Sequence, residues 1–357
     1  MKHFLEKYEK VPVREYTNNV AENPVVSVCL TTYNHVDFIK ASLEGILMQH
    51  TKFPFEILVG EDESSDGTRE ICLEYAQKYP DKIRLFLHSR RNNIIVNGLP
   101  TPQFNVLYNL LSAKGKYIAL CAGDDVWTDR YKLQKQVDFL EEHPDFGMIS
   151  TDITIINEEG KLQEANNTVL KYREARKQEP SFYDLWNIHM VNATTACIRT
   201  RLMKNLVNRI IDENIWFFED IWFWLNIALS SKIKIIYEQT AAYRIHSNNI
   251  TKRGNKYWAL PMVLIKYDAI KQYLKRKDRK TIKKNRVEIS KMGMSLLTNK
   301  QLPLRKKLFI FLLLLKKFYL FYTICNMVSS KLLDKLIIGP KIKFSGIMRN
   351  IQVKFSK

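Results

Sequence analysis

No Cys-x-x-Cys pair occurs in this chain. Its five cysteines, Cys29, Cys72, Cys121, Cys197 and Cys325, lie far apart. That argues against a disulfide framework, a structural zinc site and a thioredoxin-type redox motif. The opening decapeptide, Met1 to Lys10, holds no apolar core of signal-peptide length, so a cytoplasmic location is expected. A charge-free run of about 20 apolar residues, the requirement for a membrane-spanning helix, is also missing. Wholesale disorder is excluded from the other side, because 46% of the 357 residues are hydrophobic and 26% charged.

The net charge of +19 suggests a nucleic-acid binder until it is divided along the chain. From Lys252 onward there are 27 Lys and Arg against 4 acids, a net of +23. The first 251 residues hold 29 basic and 33 acidic groups, a net of −4. An acidic body therefore carries a strongly basic tail, and each part needs its own explanation. The expected organisation is an N-terminal extension over 1–23, a catalytic body over 24–251 and a basic, mainly α-helical region over 252–357.

Within the body, short β-branched runs alternate with amphipathic stretches. Strands are expected at Val25–Thr31, Phe55–Gly60, Ile83–Leu87, Lys116–Cys121 and from Gly147 to Ile153. Helices are expected at 36–50, 67–79, 102–112 and 130–143, and a further one at Glu219–Ser230. Strand alternating with helix implies an α/β fold, a mostly parallel sheet with helices on both faces. In such sheets ligands bind beyond the carboxyl ends of the strands. Three strands end there in polar clusters: Thr31-Thr-Tyr-Asn-His35, Glu61-Asp-Glu-Ser-Ser-Asp-Gly-Thr68 and Gly123-Asp-Asp125. Carboxylates crowded along one sheet edge repel unless a cation sits among them. A hard divalent ion, held by one or two carboxylates plus phosphate oxygens, is the economical solution, so the pattern points to a metal–nucleotide site.

Five segments, in order, carry a resemblance: Val28-Cys-Leu-Thr-Thr-Tyr-Asn34, Ile57-Leu-Val-Gly-Glu-Asp-Glu-Ser-Ser-Asp-Gly-Thr68, Ala119-Leu-Cys-Ala-Gly-Asp-Asp-Val-Trp127, Phe218-Glu-Asp220 and Tyr243-Arg-Ile-His-Ser-Asn-Asn-Ile-Thr251. Together they resemble the family 2 glycosyltransferases, inverting enzymes of the Rossmann-like GT-A fold that use nucleotide-diphosphate sugars. The resemblance covers roughly residues 24–251. It implies that Thr31 and Tyr33 lie against the nucleotide base, and that Glu61 and Asp62 hold base and ribose. Asp62 and Asp66 could instead order a turn, as short polar side chains do, and Asp66 is read that way. Asp124 and Asp125 fall where the family has its metal-binding Asp-x-Asp-like motif, with Asp124 as its last acid and Ala122 where relatives carry the first. The cofactor implied is Mn2+ or Mg2+. The alternative for Asp-Asp is an exposed loop or a helix N-cap region before Tyr131.

The resemblance makes Asp220 of the Glu219-Asp220 pair the base that takes the acceptor proton, although acids also suit a helix N-terminus. Arg244 and His246 flank Ile245 and share a face; the resemblance places Arg244 over the diphosphate and lets His246 reach the metal. Trp222 is a candidate platform for the acceptor sugar. Arg90-Arg-Asn-Asn93 either meets phosphates or base, or is a solvated loop. His35 is left without a role.

The tail reads as helices over 257–277, 280–297 and 304–328. Its apolar run Leu308-Phe-Ile-Phe-Leu-Leu-Leu-Leu315 is interrupted by Lys316-Lys317. Such a pattern suits an in-plane anchor on an anionic membrane surface, or a helical cap packed on the body. The overall expectation is a cytoplasmic glycosyltransferase, peripheral at the inner face of the cell membrane. It would move a sugar from a nucleotide-sugar donor, with uridine the commonest base of the family, to a glycan or lipid-linked glycan acceptor. Without several spanning helices a processive synthase is disfavoured. A nucleotidyltransferase would want a glycine-rich basic loop after the first strand, which Thr31–His35 lacks. A nucleic-acid binder would want aromatic platforms outside the greasy run; no nucleic acid is expected as a partner.

Overall fold

The computed structural model describes residues 1–96, 98–164, 173–174, 177–188, 191–217, 219–249, 255–277 and 279–310. The chain divides into two compact units, Met1–Lys252 and Arg253–Lys357.

The first unit is built on one nine-stranded sheet. Its strands in chain order are β1 (Arg14–Glu15), β2 (Val26–Thr32), β3 (Phe55–Glu61), β4 (Ile83–Leu87), β7 (Tyr117–Ala122), β8 (Val126–Trp127), β9 (Phe146–Ile156), β10 (Cys197–Arg199) and β11 (Lys232–Arg244); β5 (Ile95–Val96) and β6 (Leu99–Pro100) pair separately as a hairpin. The spatial order is β1-β4-β3-β2-β7-β10-β9-β11-β8. The long ladders β4–β3, β3–β2, β2–β7 and β9–β11 are all parallel. Short antiparallel ladders join β10 to its two neighbours and attach β1 and β8 at the edges. β3 and β4 are buried along their whole length, so their apolar residues do not alternate with solvent-facing ones, and the charges they carry are paired, Arg84 Nη1 with Glu56 Oε2 at 3.2 Å.

Four helices connect the parallel strands or flank them: α2 (Ile39–Leu47), α3 (Thr68–Lys78), α4 (Gln103–Ser112) and α5 (Lys132–Glu142), preceded by α1 (Lys2–Tyr8) at the amino end. All four start later than the sequence suggests, because the residues before them are held in the strand-end loops. Val36, for example, gives its N–H to Asp66 Oδ2 at 3.0 Å instead of joining a helix. Asp66 also accepts from the Thr68 N–H at 3.0 Å and the Thr68 hydroxyl at 2.6 Å, so it orders the turn into α3. Gly67, at φ 104°, takes a left-handed turn that a side chain would resist.

The second unit, where described, is helical: Asn255–Arg276, Arg279–Lys284 and Arg286–Leu297, with 304–310 also helical. The expected 280–297 helix is broken near Asn285, whose side-chain amide donates to the Tyr273 hydroxyl at 3.0 Å. No described helix is long and apolar enough to cross a membrane. Most of the apolar run expected to lie on a membrane, from 311 onward, falls outside the described residues.

Candidate active site

The carboxyl ends of β2, β3, β4, β7 and β11 converge on one region, and their loops are tied to each other. Asn34 donates its N–H to Ser64 Oγ at 2.9 Å and accepts from the Ser65 N–H at 3.1 Å. His35 donates its N–H to Thr68 Oγ1 at 2.8 Å. Glu63 accepts from the Ser89 hydroxyl and the Arg90 N–H, at 3.1 and 2.6 Å. Asn34 and Glu63 both sit at positive φ, 51° and 59°; this is strain of the kind that surrounding structure must hold in place.

At the centre is Asp124, in the turn between β7 and β8. Its Oδ2 lies 3.0 Å from His246 Nε2 and 4.0 Å from His35 Nε2. Asn249 supports the pair, accepting the His246 N–H at 2.7 Å. The ligand-capable atoms of His35, Asp124 and His246 all lie within 4.8 Å of one another. Burial raises the Asp124 carboxyl, but its bond to His246 and the nearby His35 outweigh this and leave it below the usual range. Burial pulls the His35 imidazole down, against the attraction of Asp124. An ionised carboxylate with two imidazoles is a donor set for a divalent cation, so the residues fit the metal that the family pattern implies.

A second cluster surrounds Asp62, beyond β3. Asp62 Oδ2 accepts from Arg90 Nη1 at 3.0 Å and Asn93 Nδ2 at 2.9 Å. The Arg90 guanidinium lies 3.7 Å over the ring of Tyr33, whose side is exposed. Asp62 Oδ1, Asn93 Oδ1 and both ring nitrogens of His88 are buried without a hydrogen-bond partner among the described residues. Orphaned buried polar atoms demand an explanation, and a ligand that donates and accepts would supply one. Burial lifts the Asp62 carboxyl to about 6, and burial beside Arg69 drops His88 to about 3. Thr31 is half-buried near the end of β2, and its carbonyl takes the Gly123 N–H at 3.0 Å.

Four expected site residues are placed differently. Asp125 stays out of the metal cluster: it is buried, and its Oδ1 accepts the Arg244 N–H at 3.0 Å, fastening the β7–β8 turn to the end of β11. Burial and the charge of Asp124 push its carboxyl well up. Arg244, expected on the diphosphate, is buried and hydrogen-bonds the backbone carbonyls of Asp124, Asn157 and Glu158 at 3.0–3.2 Å while lying over Phe38. It braces the turn that presents Asp124. Glu61 is wholly buried, ion-paired with Arg69 and accepting the Ser64 N–H at 2.6 Å, so it shapes the loop and does not line the pocket. Trp222 is 0% exposed, with Phe223 at its edge and Arg209 over its ring, because it lies on the inner face of an apolar helix. It offers no face to an acceptor.

Glu219 and Asp220 begin that helix, Asp220–Ala228, with Glu219 at the N-cap and both half-exposed. Phe218, in the same motif, lies outside the described residues. The segment before this helix is tied to α4, where Gln103 donates to the Trp216 carbonyl at 3.1 Å. His35 and Asn249 are given no role by the sequence, whereas Asn93 belongs to the Arg90–Asn93 loop that the sequence leaves between a phosphate or base contact and a solvated loop. For His35 the signal was available: it follows β2 at the same end of the sheet as Asp62 and Asp124, the position rule that identified those two.

The model for "Glycosyl transferase family 2" matches residues 27–207. An uncharacterized protein of Mycobacterium tuberculosis is 38% identical over 237 residues, 65% of this chain and 63% of the relative. The chain thus spans less than two thirds of the length of that relative. The minor teichoic acid biosynthesis protein GgaB of Bacillus subtilis is 27% identical over 253 residues, 68% of this chain and 26% of GgaB. Among solved structures, S. aureus TarS 1-349 in complex with UDP-GlcNAc aligns with TM-score 0.50 and 15% identity over 85% of this chain and 91% of that one. The mannosyltransferase PcManGT of Pyrobaculum calidifontis, in complex with GDP-Man and Mn2+, aligns with TM-score 0.50 and 16% identity over 92% and 84%. At these identities the structural likeness bears on the fold.

Proposed function

This chain belongs to glycosyl transferase family 2, and from that premise we propose that it transfers one sugar, with inversion, from a UDP-sugar to a hydroxyl of a glycan or lipid-linked glycan. The observation that carries the reading is the pairing of two clusters at one sheet edge: Asp124 with two imidazoles, and Asp62 with its orphaned oxygen. One suits a diphosphate-bound cation, the other a base that presents an imide N–H.

In this reading Tyr33 and Arg90 flank the base, Asp62 Oδ1 accepts its N–H, and Asn93 Oδ1 accepts from a second donor of the nucleoside. Asp124 and His246 hold the cation, Mn2+ or Mg2+, which when bound would offset the charge gathering on the departing diphosphate. Asp220 takes the proton of the acceptor hydroxyl while that oxygen attacks the anomeric carbon from the face opposite the leaving group. One carboxylate suffices, because the diphosphate leaves without a proton, unlike the two opposed carboxyls of a glycosidase. Glu219, at the helix N-cap, sets the entry of the chain into Asp220. Arg244 holds the Asp124 turn in place.

The acceptor class is supported by the net +23 of residues 252–357, which suits a membrane-surface substrate, and by the printed role of GgaB in teichoic acid biosynthesis. The test is a donor screen that follows nucleoside diphosphate release with Mn2+, with Mg2+ and with EDTA. One UDP-sugar should be turned over slowly, and Asp220→Asn should lower the rate by roughly 10²–10⁴-fold with donor affinity kept. Absence of binding to every nucleotide sugar by calorimetry would overturn the reading.

A further inference from the structure

We propose that His35 is a direct ligand of the cation, making the site a His–Asp–His triad that takes an imidazole-accepting ion such as Mn2+ in preference to Mg2+. The inference rests on the reading of Asp124 as a cation ligand and goes beyond it in both ligand set and metal choice.

Distances come first. Two ligands each about 2.1 Å from one ion stand about 3 Å apart at right angles and about 4.2 Å apart when opposite. Asp124 Oδ2 is 3.0 Å from His246 Nε2 and 4.0 Å from His35 Nε2, inside that range on both sides. The two imidazole rings stand with their planes at 87° and their centroids 6.0 Å apart, so they do not duplicate one position.

His35 is also built into place. Its backbone N–H is held by Thr68 Oγ1 at 2.8 Å, and its Nδ1 lies 3.3 Å from Thr32 Oγ1. A partner on the far nitrogen fixes the ring and leaves Nε2 for the ion, the usual support for a metal-binding histidine. Space for the ring depends on Gly123: a Cβ there would lie 2.9 Å from His35 Nδ1 and 2.6 Å from Thr32 Oγ1. Residue 122, an alanine, has no ligand atom to offer. It pairs with Thr31 across β2 and β7, so the loop leaving β2 is the adjacent source of a replacement. His35 is four residues along it.

The donor set decides the metal. Mg2+ prefers oxygen ligands in a strict octahedron and keeps its waters, whereas first-row transition ions, of which Mn2+ binds most weakly, accept imidazole nitrogen more readily. Two imidazoles and one carboxylate therefore discriminate against Mg2+.

The experiment uses the full chain with Mn2+ as the probe, titrated by electron paramagnetic resonance with and without UDP. Pulsed measurements count the nitrogens bound to the ion. Wild type should show two directly bound nitrogens, and His35→Ala and His246→Ala one each, with Mn2+ affinity lowered at least tenfold. A hundredfold excess of Mg2+ should leave most Mn2+ in place. His35→Gln, which can still hydrogen-bond, should behave as His35→Ala. One nitrogen in wild type, or unchanged binding in both His35 variants, overturns the inference. Failure of the underlying reading looks different: Asp124→Asn would then bind Mn2+ like wild type. The nitrogen count is read on the wild-type protein, so it stands even where a variant does not fold.

Discussion

His246 Nε2 lies 3.0 Å from Asp124 Oδ2 although 122 positions separate the two residues in the chain. The contact exists because β8, which follows Asp124, pairs antiparallel with β11, which precedes His246. Asp125 and Arg244 then lock the two segments together through backbone and side chain.

Asp62 gives a pH dependence with a defined sign. Burial raises its folded pKa from an ordinary 3.8 to about 6, so the fold binds a proton that the unfolded chain has released. Stability therefore falls as pH rises from about 4 to about 6, by an order of 3 kcal/mol in total. Asp62→Asn should melt above wild type at pH 8 and lose that advantage near pH 4. The same variant should bind UDP at least tenfold more weakly at pH 8, since it lacks the charged acceptor. Thermal unfolding and calorimetry at the two pH values check both; equal UDP affinity in the variant would remove Asp62 from the base site.

Asn92 ties the amino-terminal arm to the loop that carries Arg90 and Asn93. Its Oδ1 accepts from the Lys10 and Val11 N–H groups, both at 2.8 Å, and its Nδ2 donates to the Val11 carbonyl at 2.7 Å. Asn92→Ala would strand three partly buried backbone groups, at about 2 kcal/mol. UDP affinity is expected to drop about fivefold with Mn2+ binding unchanged. A loss of Mn2+ binding instead would mean that the arm supports the whole site.

Gly123→Ala tests the close packing of the β2 and β7 loops. The new methyl would lie 2.6 and 2.7 Å from Thr32 Oγ1 and Cβ, so one loop has to move. Overpacking of this kind costs about 1–3 kcal/mol. The melting temperature should fall, and Mn2+ should bind at least tenfold more weakly. Wild-type binding in the variant would show that the loops have slack which the distances deny.

The parallel half of the sheet was legible because its strands are buried on both faces and so are dense in apolar, β-branched residues: Ile83–Leu87 is found with the bounds expected. β8 and β10, at two and three residues, are too short to leave a pattern and exist through pairing with β11, β7 and β9. In the site, position at a strand end pointed to Asp62 and Asp124, and the structure sets His246 beside Asp124. What it could not convey was which polar groups are already engaged. Arg244 and Glu61 carry suitable charges, yet Arg244 is held by backbone carbonyls and Glu61 by Arg69. Trp222 looked like a platform because an aromatic beside an acid pair has the right chemistry; its helix turns it inward.

The wide spacing of the triad along the chain has a consequence for biogenesis. His35, Asp124 and His246 arrive on three segments that meet only when β2, β7 and β11 are all in the sheet. Contacts of such high sequence separation form late, after the loops between them have been closed. On the proposed ligand set, a nascent chain would have no complete cation site until residue 246 has left the ribosome and docked. From then on, any ion bound to the finished sheet deepens its stability by mass action. The cation would act as a latch on completed folding, and a partly made enzyme would be silent by construction.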